Sequence, residues 1–112
     1  MIVEKRRIGE HVLLRLEGVI KLGESAEFLA QTLERALAED EGHVLVDFTR
    51  INYIDSTGIG ELVGYLAKFR DADRKLILIN PSDRIRRLLQ AASLDELFPS
   101  YETVETALEE EG

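Results

Sequence analysis

At 112 residues the chain has the size of one domain, and its lack of cysteine excludes disulfides and thiolate metal sites. A hydrophobic fraction of 45% with 32% charged residues fits a globular protein with a single buried core and argues against disorder. The 14 basic and 22 acidic residues leave a net charge of −8, which opposes a nucleic-acid backbone and points to other proteins as partners.

The first residues, Met1 to Arg7, place apolar side chains before basic ones and contain no apolar core of the kind a secretory signal needs. No apolar run approaches the roughly 20 residues that cross a bilayer, so a cytoplasmic protein without a membrane segment is expected. Ile2 to Ile8, a Gly9-Glu10 turn and Val12 to Glu17 read as a hairpin. Its second strand sets Val12, Leu14 and Leu16 on one face and Arg15 and Glu17 on the other, with Gly18 as its end. From Gly23 to about Glu39, Ala26, Leu29, Leu33, Ala36 and Leu37 recur at helical spacing, and Asp40-Glu41-Gly42 stops the helix.

Val44 to Phe48 and Leu76 to Ile79 are near-continuous apolar runs, the pattern of strands covered on both faces. Between them Ile59, Leu62, Val63, Leu66 and Phe69 mark a second helix that ends at Asp71-Ala72-Asp73. Asn80-Pro81-Ser82 opens a third helix with Ile85, Leu88, Leu89 and Ala92 inward, and Pro99 breaks the chain after Phe98. A short last helix places Val104, Ala107 and Leu108 on one side and runs into a solvated acidic tail at 109–112. The alternation predicts a single α/β domain over 1–112, with a mixed four- to five-stranded sheet and about four helices packed on it. His11 and His43 head apolar runs far apart in sequence and read as strand-edge residues rather than as a metal pair.

One segment carries more chemistry than the rest: Asp55-Ser56-Thr57-Gly58-Ile59-Gly60-Glu61-Leu62, where a strand meets the second helix. Asp55, Ser56 and Thr57 are all residue types that cap helices, and capping alone is one reading of them. Gly58, Gly60 and Gly64 are harder to explain, because a glycine in a helix costs up to ~1 kcal/mol relative to alanine. Gly58 lies near the inward stripe and suits tight packing on the sheet. Gly60 and Gly64, opposite Leu62 and Leu66, would bare the backbone to something approaching from outside. A serine hydroxyl at a helix N-terminus is also a sensible phosphate acceptor, since free amides and the helix dipole stabilise the added anion.

Asp55-Ser56-Thr57-Gly58-Ile59-Gly60 resembles the Asp-Ser-Ser/Thr-Gly-Leu-Gly signature of the anti-sigma factor antagonists, which are STAS-domain proteins. Asn80-Pro81 before the Ile85/Leu88/Leu89 helix, and Phe98-Pro99-Ser100-Tyr101 before Val104 to Leu108, fit the same family along nearly the whole chain. The resemblance implies that Ser56, with Thr57 as second choice, is phosphorylated by a partner serine kinase that is itself an anti-sigma factor. Unphosphorylated protein would bind that kinase and free the sigma factor, and a PP2C-type phosphatase would reset the switch. Asp55, Ser56, Thr57, Gly58, Ile59, Gly60, Glu61 and Gly64 would form the partner-binding face. Thr57 and Ile59 stand where the family more often has Ser and Leu.

Other readings fare worse on the residues. A hydrolase would need Gly-x-Ser-x-Gly or a histidine brought to Ser56, and neither is visible. Gly58 to Gly64 resembles a dinucleotide loop with its third glycine one position late. A receiver domain would need an acidic pair after an early strand, which Leu16 to Val19 do not supply. No cofactor, metal or enzymatic activity is expected. Arg84, Arg86 and Arg87 form a basic patch that is either a solvated helix face or a contact for an acidic partner. The alternative to the phosphorylation switch is a STAS scaffolding module of a stress-signalling assembly or of anion-transporter descent. The starting methionine and the absent membrane segment favour the switch.

Overall fold

The computed structural model describes residues 2–112. Its elements are β1 (Ile2–Ile8), β2 (His11–Ile20), α1 (Glu24–Glu39), β3 (Val44–Ile54), α2 (Ser56–Asp71), β4 (Leu76–Ile79), α3 (Asp83–Ala91), β5 (Ser100–Tyr101) and α4 (Val104–Glu111). They form a five-stranded sheet in the order β1-β2-β3-β4-β5, with β1 antiparallel to β2 and every later pair parallel. Strands laid down in one direction and joined by right-handed crossovers carry their helices on one face. Accordingly α1, α2 and α3 cover one side, over a core that includes Leu14, Ile20, Leu29, Leu33, Phe48, Leu62, Phe69, Leu78 and Ile85.

After the edge strand β5 the chain crosses to the other face, where, among the described residues, α4 is the helix that covers it. Leu13, Leu45, Ile77, Ile79 and Ala107 are buried there, with Tyr101, Val104 and Leu108 against them. This second layer explains why the β3 and β4 runs are apolar on both sides.

Four sequence expectations change in detail. β2 continues past Gly18 to Ile20, because Gly18 adopts φ +111 and absorbs a register shift instead of ending the strand. β3 extends well beyond Phe48 to Ile54, past the end of β4, and so delivers Asp55 directly to α2. Leu88 and Ala92 do not turn inward: α3 meets the core along the narrow Ile85/Leu89 stripe, and Ala92 lies beyond the helix end. Finally, of the residues expected to form a solvated tail at 109–112, Glu109 to Glu111 belong to α4, where Glu109 and Glu110 stay exposed and Glu111 is half-buried. Glu111 accepts a hydrogen bond from the Tyr101 hydroxyl at 2.6 Å and pairs with the Lys75 ammonium.

The C-terminus of α1 shows how the layers are tied. That helix has no basic residue in its last turn to meet its free carbonyls. Arg74, beyond α2, supplies the charge from outside, donating to the carbonyls of Gly42 (2.6 Å), Leu37 (3.1 Å) and Ala36 (3.2 Å). Its guanidinium also lies 4.7 Å from the Phe69 ring centre. Arg74→Met would keep the stem and orphan the partly buried Gly42 and Leu37 carbonyls, while the Ala36 carbonyl keeps its bond from the Asp40 N–H, so a loss of about 2 kcal/mol is expected. An unchanged urea midpoint in this variant would show that water serves these carbonyls equally well.

Candidate functional site

Parallel strands β2, β3 and β4 all point their C-terminal ends to the same edge of the sheet, where ligands and partners of open α/β sheets usually sit. Asp55 occupies this edge as the N-cap of α2, in extended conformation at φ −98 and ψ −177. One carboxylate oxygen accepts from the Gly58 N–H at 3.0 Å, and the other accepts from the Leu22 N–H at 2.9 Å. The Asp55 N–H itself donates to the Ile20 carbonyl at 3.0 Å. The bond from Gly58, then that from Leu22, hold the Asp55 carboxyl below its ordinary value, so it stays charged at neutral pH.

Since Asp55 makes the cap, Ser56 is released from that duty. It takes the first helical position and its side chain is exposed, whereas Thr57 is half-buried. The first turn of α2 carries no acidic residue, so its amides and dipole face the Ser56 hydroxyl uncompensated apart from Asp55.

The glycines divide as their spacing suggested. Gly58 is buried: a Cβ there would stand 2.7 Å from Ile20 Cγ2 and 2.7 Å from Ile54 Cγ1. It is the contact that lets α2 lie close on the strand ends, and it does not face outward. Gly60 and Gly64 are exposed, and a Cβ at either would meet nothing within 4 Å. Ile59 and Glu61 are half-buried on either side of that bare strip.

Apolar side chains that sequence reasoning missed surround the site. Leu22 is 76% exposed, although its N–H is fixed by Asp55. Val19 and Tyr53, paired across β2 and β3, are each about two-fifths exposed. The available signal was that Val19 and Tyr53 fall on strand extensions beyond the covered core, which depended on knowing where β2 and β3 end.

The basic patch does not act as one unit. Arg86 is half-buried and donates to the Pro81 carbonyl at 3.0 Å, so it closes the start of α3. Arg84 and Arg87 are exposed, with Arg84 5.7 Å from the Tyr53 ring centre, which brings it to the same edge. His11 and His43 lie at the opposite ends of β2 and β3 from Ser56, so neither can activate its hydroxyl. Among the described residues no helix is long and apolar enough to cross a membrane.

Comparison with known proteins places this architecture. The family model described as STAS domain matches residues 3–107. The anti-sigma-B factor antagonist of Listeria monocytogenes is 32% identical over 97 residues, covering 83% of this chain and 81% of that protein. An anti-sigma factor antagonist from Mycobacterium paratuberculosis superposes with a TM-score of 0.86 at 19% identity, over 97% of this chain and 92% of that one. The Bacillus cell fate determinant SpoIIAA, solved in its phosphorylated form, gives a TM-score of 0.74 at 22% identity, over 97% and 98%.

Proposed function

We propose that this chain, which belongs to the STAS-domain family of anti-sigma factor antagonists, is a non-enzymatic protein-binding switch thrown by phosphorylation of Ser56. The observation that carries this reading is the division of labour at the start of α2. Asp55 caps the helix, Ser56 is exposed at its first position, and Gly60 and Gly64 leave the outer surface bare. In the unphosphorylated state the edge formed by Asp55, Ser56, Thr57, Ile59, Glu61 and the two open glycines docks on an anti-sigma factor serine kinase, and docking frees the sigma factor. Gly58 contributes from beneath by setting the helix on the sheet.

Phosphorylation adds about −1.5 to −2 charges at a helix N-terminus, which tolerates an anion well. The fold therefore survives the modification. The complex does not, because the phosphate stands beside the charged Asp55 and would lose its hydration on docking. A PP2C-type phosphatase restores the hydroxyl, and the cycle belongs to the cytoplasm. The relatives named as anti-sigma-B factor antagonists support the partner class.

The test is phosphate mapping by mass spectrometry after incubation with the co-purifying kinase and ATP. Wild type and Thr57→Ala should each gain one phosphate on Ser56, and Ser56→Ala should gain none. Incorporation retained in Ser56→Ala would overturn the assignment.

A further inference from the structure

The edge of the sheet opposite Ser56 carries a cluster that the switch does not use. His11 and His43, apart in sequence, stack with ring centres 4.9 Å apart and planes 11° from parallel. The backbone N–H of His43 donates to His11 Nδ1 at 2.8 Å, and the backbone N–H of Lys75 donates to His43 Nδ1 at 3.0 Å. A ring nitrogen that accepts carries no proton, so the proton of His43 sits on Nε2, which is 3.1 Å from the Glu111 carbonyl oxygen. Glu111 is the last residue of α4, and its carboxylate holds the Lys75 ammonium and the Tyr101 hydroxyl. One neutral imidazole thus joins the start of β3, the approach to β4 and the end of α4.

We propose that His43 is a proton-operated latch on α4, closed while its ring is neutral and released when the ring takes up a second proton. A proton on Nδ1 would place two N–H groups head to head, His43 against Lys75, and the ring must swing away to relieve it. Leaving, it drops the Glu111 carbonyl and loosens the last turn of α4, the helix whose Ala107, Val104 and Leu108 pack over Leu13, Leu45 and Ile77.

The charged groups around the ring come from every neighbouring element. His11 and the Lys75 ammonium oppose the added charge, and the Glu111 carboxylate favours it. Glu10 from the β1–β2 turn lies 3.8 Å from His11 Nε2, and Glu110 adjoins Tyr101. Arg74 occupies the Gly42 carbonyl immediately before His43. Burial first, then His11, lower the His43 value from its usual 6.5. The sign follows. Above about 6.5 both folded and open forms are neutral and the latch is closed at full strength. Below it the open form binds the proton first, so closure weakens with falling pH until the lowered folded value is passed.

The experiment is amide hydrogen exchange of the full chain from pH 7.5 to 5, corrected for intrinsic rates. Protection of α4 amides, Gly112 included through its bond to the Leu108 carbonyl, should fall about tenfold per pH unit below 6.5, relative to amides of α2. His43→Gln should have weaker protection in α4 and no such slope. Should that variant fail to fold, the wild-type His43 ring and the α4 amides can be followed by NMR, where they should titrate together at a midpoint below 6.5. A flat wild-type profile, a slope retained in His43→Gln, or α4 amides that ignore the ring's titration would each overturn the latch. The outcome is independent of Ser56, which lies at the other end of β3.

Discussion

Gly58→Val should destabilise the protein by about 3 kcal/mol, lowering the melting temperature by roughly 10 °C. Two effects compete at this position. Replacing glycine by alanine gains up to ~1 kcal/mol of helix propensity, and by β-branched valine less. Against that, the first added carbon already stands 2.7 Å from both Ile20 and Ile54, whose side chains are fully buried and have nowhere to retreat. The clash wins, and even Gly58→Ala should lose about 1–2 kcal/mol. Gly60→Ala and Gly64→Ala face no such contact, so each should stabilise the isolated chain by about 0.5–1 kcal/mol. The same two changes should weaken partner binding if the proposed docking on this strip is right, because each places a methyl group on it. Gain of stability with loss of affinity is the mark of a position kept for binding. Thermal melts of the three alanine variants beside a binding titration separate these roles, and a stabilising Gly58→Ala would contradict the packing described.

The second large effect is expected at Ser56, and on binding instead of folding. Ser56→Asp puts a carboxylate at the first position of α2, where the dipole offsets its repulsion from Asp55, so stability should move by less than ~0.5 kcal/mol. In the complex that carboxylate is desolvated without a partner, which costs about 3 kcal/mol, on the order of a hundredfold in affinity. Ser56→Ala should bind as wild type does. A Ser56→Asp protein that unfolds, or that binds undiminished, would remove the basis for a switch.

Much of the architecture was legible from the periodicity of the chain. The α1 and α2 stripes and the doubly apolar β3 and β4 runs gave the layers, since burial on two faces leaves no polar alternation to misread. Element ends were less legible. Gly18 looks like a strand end, but a glycine at positive φ also serves as a bulge, and only pairing with β3 distinguishes the two. Glu109 to Glu111 look like solvated tail by charge alone, yet Lys75 and Tyr101, remote in sequence, give Glu111 its partners. At the site, the Asp55-Ser56-Thr57 run left the capping residue open. Backbone geometry resolves it, because only Asp55 is placed to reach both Gly58 and Leu22. Leu22 itself carries no local signal, and its backbone is placed by a bond to a residue 33 positions away.

The most direct test is a calorimetric titration of the co-purifying kinase with two preparations of this chain, one unphosphorylated and one carrying phosphate on Ser56. A switch at Ser56 requires the phosphorylated protein to bind on the order of a hundredfold more weakly while its circular dichroism stays the same. Equal affinities would mean that Ser56 is a surface hydroxyl at a helix start, and that the Asp55–Gly64 edge is not controlled by its charge.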